Sequence, residues 1–228
     1  MSNRLFSAIV PAAGIGSRMG QSIPKQYLSL GDQCILAHTL DALLAHPAIT
    51  QIVVALNPQD ADFATLPQSH DPRVVTTTGG AERADSVLAG LQLVSQDWVL
   101  VHDAARPCLT RHDLDKLMTH AQQNEQGAIL ATPVRDTMKR ANEQQQILHT
   151  EERQHLWHAL TPQLFPRQAL LQALQEAQGP ITDEASAMEQ TGYPVKLIQG
   201  CASNIKVTQA EDLALAEFYL RQQHRITE

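Results

Sequence analysis

Residues 9–27 read IVPAAGIGSRMGQSIPKQY, and the rest of the chain is organised around them. An apolar run enters a turn where Gly14 and Gly16 strip away side chains, so that backbone N–H groups can approach a phosphate. The dinucleotide fingerprint is G-x-G-x-x-G with an acid about 20 residues further on. Here the third glycine, Gly20, falls one residue late, and the next apolar run ends at Leu56 and Asn57 with no acid at its tip. A nicotinamide-dependent reductase therefore ranks last among the readings. The Walker pattern G-x-x-x-x-G-K-[ST] is also absent. What the turn carries instead is Arg18 and, after Pro24, Lys25. A triphosphate brings about four negative charges, and two cations beside a bare backbone suit charge growing on its α-phosphate. The plainer alternative is a strand–helix turn with two solvated basic residues.

Working outward, short β-rich runs alternate with longer helical ones. Strands are expected at residues 5–10, 49–56, 73–77, 98–102 and 127–134, and helices at 34–46, 84–94 and 111–123. This rhythm predicts an α/β fold: a Rossmann-like, mostly parallel twisted sheet flanked by helices. Between 135 and 160 the rhythm breaks. A polar centre, residues 141–146, separates short runs at 137–140 and 147–150, which predicts a protruding β-hairpin arm. Helices follow at 166–178 and 183–190, the second capped by Thr182, then short strands at 195–198 and 204–207 and a final helix at 211–222. With no repeat or linker in 228 residues, one domain, 1–228, with an appendage at 135–160 is expected.

Composition narrows the partners. A formal charge of −7 speaks against a general nucleic-acid or anionic-membrane binder. No run approaches the roughly 18 apolar residues of a membrane span. Three scattered cysteines without a CxxC favour neither a disulfide framework nor a zinc site, so a cytoplasmic protein is expected.

Further motifs place chemistry around the turn. GGAERADSVLAGL sets Gly79 and Gly80 before Ser86, where main chain and hydroxyl could read a base edge; a capping hydroxyl is the alternative. WVLVHDAARP puts Asp103 just past a strand end, where ligands gather in open α/β sheets. That carboxylate could hold ribose hydroxyls or help fix Mg²⁺ on phosphates, and Arg106 could meet a substrate phosphate or simply pair with Asp103. ITDEASAMEQTG brings Thr182 and Asp183 to a helix start, and NIKVT carries Lys206 inside a short apolar run.

Taken in order, these five stretches, with PVRDTMKR from Pro133, resemble the nucleotidyltransferases that activate sugars and sugar alcohols. They are most similar to the 2-C-methyl-D-erythritol 4-phosphate cytidylyltransferases of the non-mevalonate isoprenoid route, over nearly the whole chain. The resemblance implies the nucleotide-diphospho-sugar transferase type of sheet. It also implies transfer of CMP from CTP to 2-C-methyl-D-erythritol 4-phosphate, giving 4-diphosphocytidyl-2-C-methyl-D-erythritol and pyrophosphate. A cytidylyltransferase for ribitol 5-phosphate would share the turn and the Asp103 motif. By resemblance, Arg18, Lys25, Arg153 and Lys206 act in catalysis. Pro11, Ala12, Ala13, Gly14, Gly16, Gly79, Gly80, Arg83, Ser86, Asp103, Ala104 and Lys206 would surround CTP. Arg106, Thr137, Arg153, Thr161 and Thr182 would bind the acceptor. Asp103 would help hold Mg²⁺, and the arm would join a homodimer and enter the partner's pocket.

Overall fold

The first strand, β1 (Phe6–Ala12), sends Phe6, Ala8, Val10 and Ala12 into one core and Ile9 into another. This alternation is the period of two that a strand buried on both faces must show. The computed structural model describes residues 4–14 and 23–226, so Arg18, Gly16 and Gly20 lie outside the described residues. After β1 a short hairpin, β2 (Ser29–Leu30) and β3 (Gln33–Cys34), leads to α1 (Ile35–Leu44) and β4 (Ile49–Leu56). Next come β5 (Val74–Thr78), α2 (Arg83–Leu91), β6 (Trp98–Val101), α3 (Arg111–Gln123) and β7 (Gly127–Pro133). The chain continues through β8 (Lys139–Ala141), β9 (Ile147–Thr150) and β10 (Trp157–Pro166). It closes with α4 (Arg167–Glu176), α5 (Glu184–Gln190), β11 (Val195–Gln199) and α6 (Glu211–Gln222).

Among the described residues, seven strands form one sheet in the order β11-β7-β10-β6-β1-β4-β5, parallel except for β10. Trp98 and Leu100 of β6 face the same core as Phe6, while Val99 and Val101 join Ile9. Leu36, Leu40, Leu114 and Leu117 cover the first face; Val87, Leu91, Leu170 and Leu174 cover the second. A third cluster, including Leu28, Leu30, Cys108, Val207, Ala216 and Leu220, ties α6 to the hairpin after the glycine turn.

The chain runs from β1 out to β4 and β5, then returns to lay β6 on the other side of β1. The β1–β6 boundary is thus the topological switch point, where ligands of open α/β sheets bind. The two strands pair only through Ser7–Ile9 and Val99–Val101, whereas β1 stays paired with β4 as far as Ala12. Beyond Ile9 the strands part and a crevice opens. Pro11, which has no N–H to donate, sits in this unpaired stretch.

Three expectations need correction. Residues 157–166 form a ten-residue antiparallel strand, so the excursion ends before 160. Its two prolines disguise it: the ladder shifts register between Ala159 and Gln163, and Pro162 sits in that gap, where no N–H is needed. Residues 204–207 form no strand and join no sheet; Val207 N–H donates to the Ala105 carbonyl instead. The α5 cap is Asp183, whose carboxylate accepts from Ser186 N–H at 2.9 Å, and not Thr182.

β8 and β9 pair with each other, apart from the main sheet, and every residue of both is exposed. Among the described residues no helix is long and apolar enough to cross a membrane.

Candidate active site

Two turns face each other across the crevice, one leaving β1 and one leaving β6. The first contributes Pro11, Ala12, Ala13 and Gly14, and the second Asp103, Ala104 and Ala105. Gly80, Arg83 and Ser86 close one side at the start of α2, and Lys25 and Lys206 another. Most residues expected around a nucleotide thus line one cleft, joined by Gln26 and Glu82, which sequence reasoning did not single out.

Gly79 lies just behind this wall. A Cβ there would meet the Ala13 Cβ at 2.4 Å and the Ser86 hydroxyl at 2.7 Å, so only glycine lets the two turns close on each other. Ser86 accepts from Gly80 N–H at 3.2 Å, which fixes the turn from below. The α2 cap is made by Glu82 with Asp85, leaving Ser86 to shape the turn. Lys25 starts a turn of 3₁₀ helix pinned to β1 by its neighbour: Gln26 Nε2 donates to the Ala12 carbonyl at 2.8 Å.

Asp103 is the electrostatic centre. Its Oδ1 accepts from Arg83 Nε at 3.0 Å, and its Oδ2 accepts from Lys206 Nζ at 2.9 Å and Arg106 Nε at 3.3 Å. Burial alone would raise this carboxyl, but Arg83, Lys206 and Arg106 outweigh it and hold the group well below the usual carboxylate range. Arg83 in turn forks onto Glu184, at 2.5 Å to Oε1 and 3.0 Å to Oε2. Burial works against the Arg83 charge, and the two carboxylates more than restore it. Glu184, fully buried at the first turn of α5, is pushed up by that burial while Arg83 opposes the shift.

A second network sets the Asp103 backbone. Thr161 accepts from Asp103 N–H at 3.0 Å and donates to His102 Nδ1 at 2.9 Å, while His102 Nε2 donates to the Arg106 carbonyl at 3.1 Å. The chain is closed if His102 is neutral with its proton on Nε2. Complete burial pushes its pKa down to about 4, with the Asp103 charge opposing. Asn204, also fully buried, donates to the Thr161 carbonyl and accepts Arg106 Nη1 on its own carbonyl, both at 2.7 Å.

Two residues expected at the acceptor are engaged within the protein. Arg106 is buried against Asp103 and the Asn204 carbonyl and does not line the cleft, and Thr161 has its hydroxyl committed in both directions. Both hold Asp103 in place. Thr182 is exposed beside α5. Thr137 and Arg153 line a separate depression at the base of the arm, sharing no residue with the main cleft; Arg153 donates to the Arg135 carbonyl. Of the residues missed, Glu184 showed only as one of two acids at a helix start, and His102 as the end of a strand.

The cation-ringed carboxylate lies in a cleft at the switch point of a mostly parallel sheet, which is where open α/β folds bind their ligands. The chain belongs to the 2-C-methyl-D-erythritol 4-phosphate cytidylyltransferase family, whose model matches residues 6–222. It is 58% identical over 221 residues to the enzyme of that name from Tolumonas auensis, covering 96% of this chain and 97% of the relative. With the Shewanella oneidensis enzyme it shares 60% over 217 residues, 93% of this chain and 87% of that one. A crystal structure of 4-diphosphocytidyl-2C-methyl-D-erythritol synthase superposes with a TM-score of 0.83 at 38% identity, covering 95% and 99% of the two chains. The Francisella tularensis enzyme gives 0.82 at 32%, covering 95% and 100%.

Proposed function

We propose that the protein transfers the cytidylyl group of CTP to 2-C-methyl-D-erythritol 4-phosphate, releasing pyrophosphate. The observation that carries this reading is the cleft at the switch point, built around Asp103, Arg83 and Lys206, in a chain of this family. An oxygen of the acceptor's phosphate monoester attacks the α-phosphorus in line. The new P–O bond forms as the bond to the β-phosphate bridge breaks, and its electron pair leaves with pyrophosphate. A phosphate monoester has a second pKa of about 6 and is mostly dianionic at pH 7, so no general base is required.

The barrier lies in bringing two polyanions together, and this chain's cations meet it. Lys25 and Lys206 border the cleft; Arg18, outside the described residues, follows Gly14 by four positions in the sequence. They would screen the approach and stabilise charge on the α-phosphate. Asp103, with its neighbours Ala104 and Ala105, would face the ribose.

Mg²⁺ would bind with the nucleotide and neutralise phosphate charge when bound. The donor set fits an ion carried on the phosphates better than one resident in the protein. Asp103 already accepts from three cations, and among the described residues no group of three His, Cys, Asp or Glu is placed to hold a metal. Asp103 would hold the ion only as one carboxylate ligand beside phosphate oxygens.

The arm presents Ile147 and Leu148, both more than half exposed, with Met138, Leu156 and Trp157 also open. An apolar hairpin of this kind is suited to a partner surface. In this reading it joins a homodimer and brings Arg153 and Thr137 to the partner's acceptor site. A reducing cytoplasm suits Cys34, Cys108 and Cys201, all unpaired. The reaction is tested by following pyrophosphate release with CTP, Mg²⁺ and a panel of acceptors that includes ribitol 5-phosphate.

A further inference from the structure

Glu184 is a carboxylate with no exposed surface, 101 residues from the arginine it holds. Buried ion pairs add little net stability over apolar groups of similar size, so stability alone is a weak reason to place one here. Its position offers a better one. Arg83 stands on the first turn of α2 and lines the cleft; Nε is spent on Asp103 and both terminal nitrogens on Glu184. A planar guanidinium held at three points has its orientation set, and it sets Asp103 Oδ1 in turn. Remove the Glu184 charge, and three cations surround one carboxylate. Arg83 is then released at the edge of a cleft about to receive a polyanion.

We propose that Glu184 is a positioning residue for the nucleotide: through its fork on Arg83 it holds Asp103 for the ribose and keeps the guanidinium bound to carboxylate rather than to phosphate. The phosphates are then met by the lysines and the glycine-turn backbone. This rests on the cytidylyltransferase reading above.

The test measures KM for CTP, kcat and KM for the acceptor in the pyrophosphate assay, together with CTP affinity by calorimetry. It compares wild type, Glu184→Gln, Arg83→Met and the double variant. Glu184→Gln is expected to weaken CTP by roughly tenfold, the lower end of the cost of losing a hydrogen bond to a charged group, with the acceptor KM unchanged. In the Arg83→Met background the same substitution should change CTP affinity by less than about twofold, because its effect travels through Arg83. Arg83→Lys, which keeps the charge and loses the fork, should reproduce the Glu184→Gln defect and supplies the test if the glutamine variant does not fold. Unchanged CTP affinity in Glu184→Gln or in Arg83→Lys would overturn the proposal. So would an effect of Glu184→Gln equally large with and without Arg83. Wild-type protein that binds CTP but releases no pyrophosphate would defeat the functional reading, while calorimetry would still decide the role of Glu184.

Discussion

At the scale of single residues, His102 and Asp103 are neighbours whose protonation is set by different forces. Asp103 stays ionised because three cations outweigh its burial; His102 stays neutral because nothing outweighs its own. Between its ordinary pKa of 6.5 and about 4, the unfolded chain binds a proton on His102 that the folded chain refuses. Stability from this group is therefore complete above pH 6.5 and lost as pH falls towards 4, about 3 kcal/mol in all. His38 and His46, also pushed down by burial, slope the same way, while Glu184, pushed up, slopes the opposite way. The difference between wild type and His102→Gln isolates the term. Chemical denaturation from pH 7.5 to 4.5 should show the wild-type slope exceeding the variant's by nearly one proton near pH 5. Equal slopes would mean that His102 titrates normally. The motif around Asp103 marks the site in the sequence, but nothing there separates the residues that meet ligand from those that brace it. Arg106 and Thr161, expected at the acceptor, both also bond to Asp103. Their partners lie on the turn after β6 and in the 201–208 segment, pairings that only the folded chain reveals.

At the scale of elements, the two glycine turns do different work. A Cβ at Gly79 would strike Ala13 and Ser86, whereas at Gly14 it would meet nothing within 4 Å among the described residues. Gly79→Ala should thus cost about 1–3 kcal/mol through overpacking, seen as a lowered denaturation midpoint, and weaken CTP as well. Gly14→Ala should keep its stability and lose CTP affinity, because its methyl group enters the space a phosphate needs. Calorimetry with CTP beside thermal melts distinguishes them; a destabilised Gly14→Ala would show that the turn is packed rather than open. Most strands and helices were legible because apolar residues recur with the period of their element, and β1 alternates between two cores as a fully buried strand does. β10 was not, since Pro162 and Pro166 argue against a strand until the register shift that accommodates the first is seen. Lys206 was expected on a strand and is instead carried by a segment anchored through Val207 to Ala105.

At the scale of the whole molecule, the central cleft gathers most residues proposed for the nucleotide, while Arg153 and Thr137 line a separate depression at the arm. A site completed by a second chain has a distinctive signature. Lys25→Ala should lower kcat by about two orders of magnitude, the scale of losing a transition-state contact, and Arg153→Ala should impair use of the acceptor. If the chain dimerises with its arm crossing to the partner, co-expression of the two variants would give mixed dimers in which one of the two sites has both residues intact. If Arg153 serves the partner's site, activity should recover to about a quarter of wild type, as random pairing of a two-fold dimer predicts. No recovery would place Arg153 and Lys25 in the same chain's site. The central claim is tested most directly by incubating the protein with CTP and Mg²⁺ and measuring pyrophosphate with each acceptor in turn. Release should be fast with 2-C-methyl-D-erythritol 4-phosphate and close to background with ribitol 5-phosphate or no acceptor. Equal or faster release with ribitol 5-phosphate, or none with either, would contradict the account.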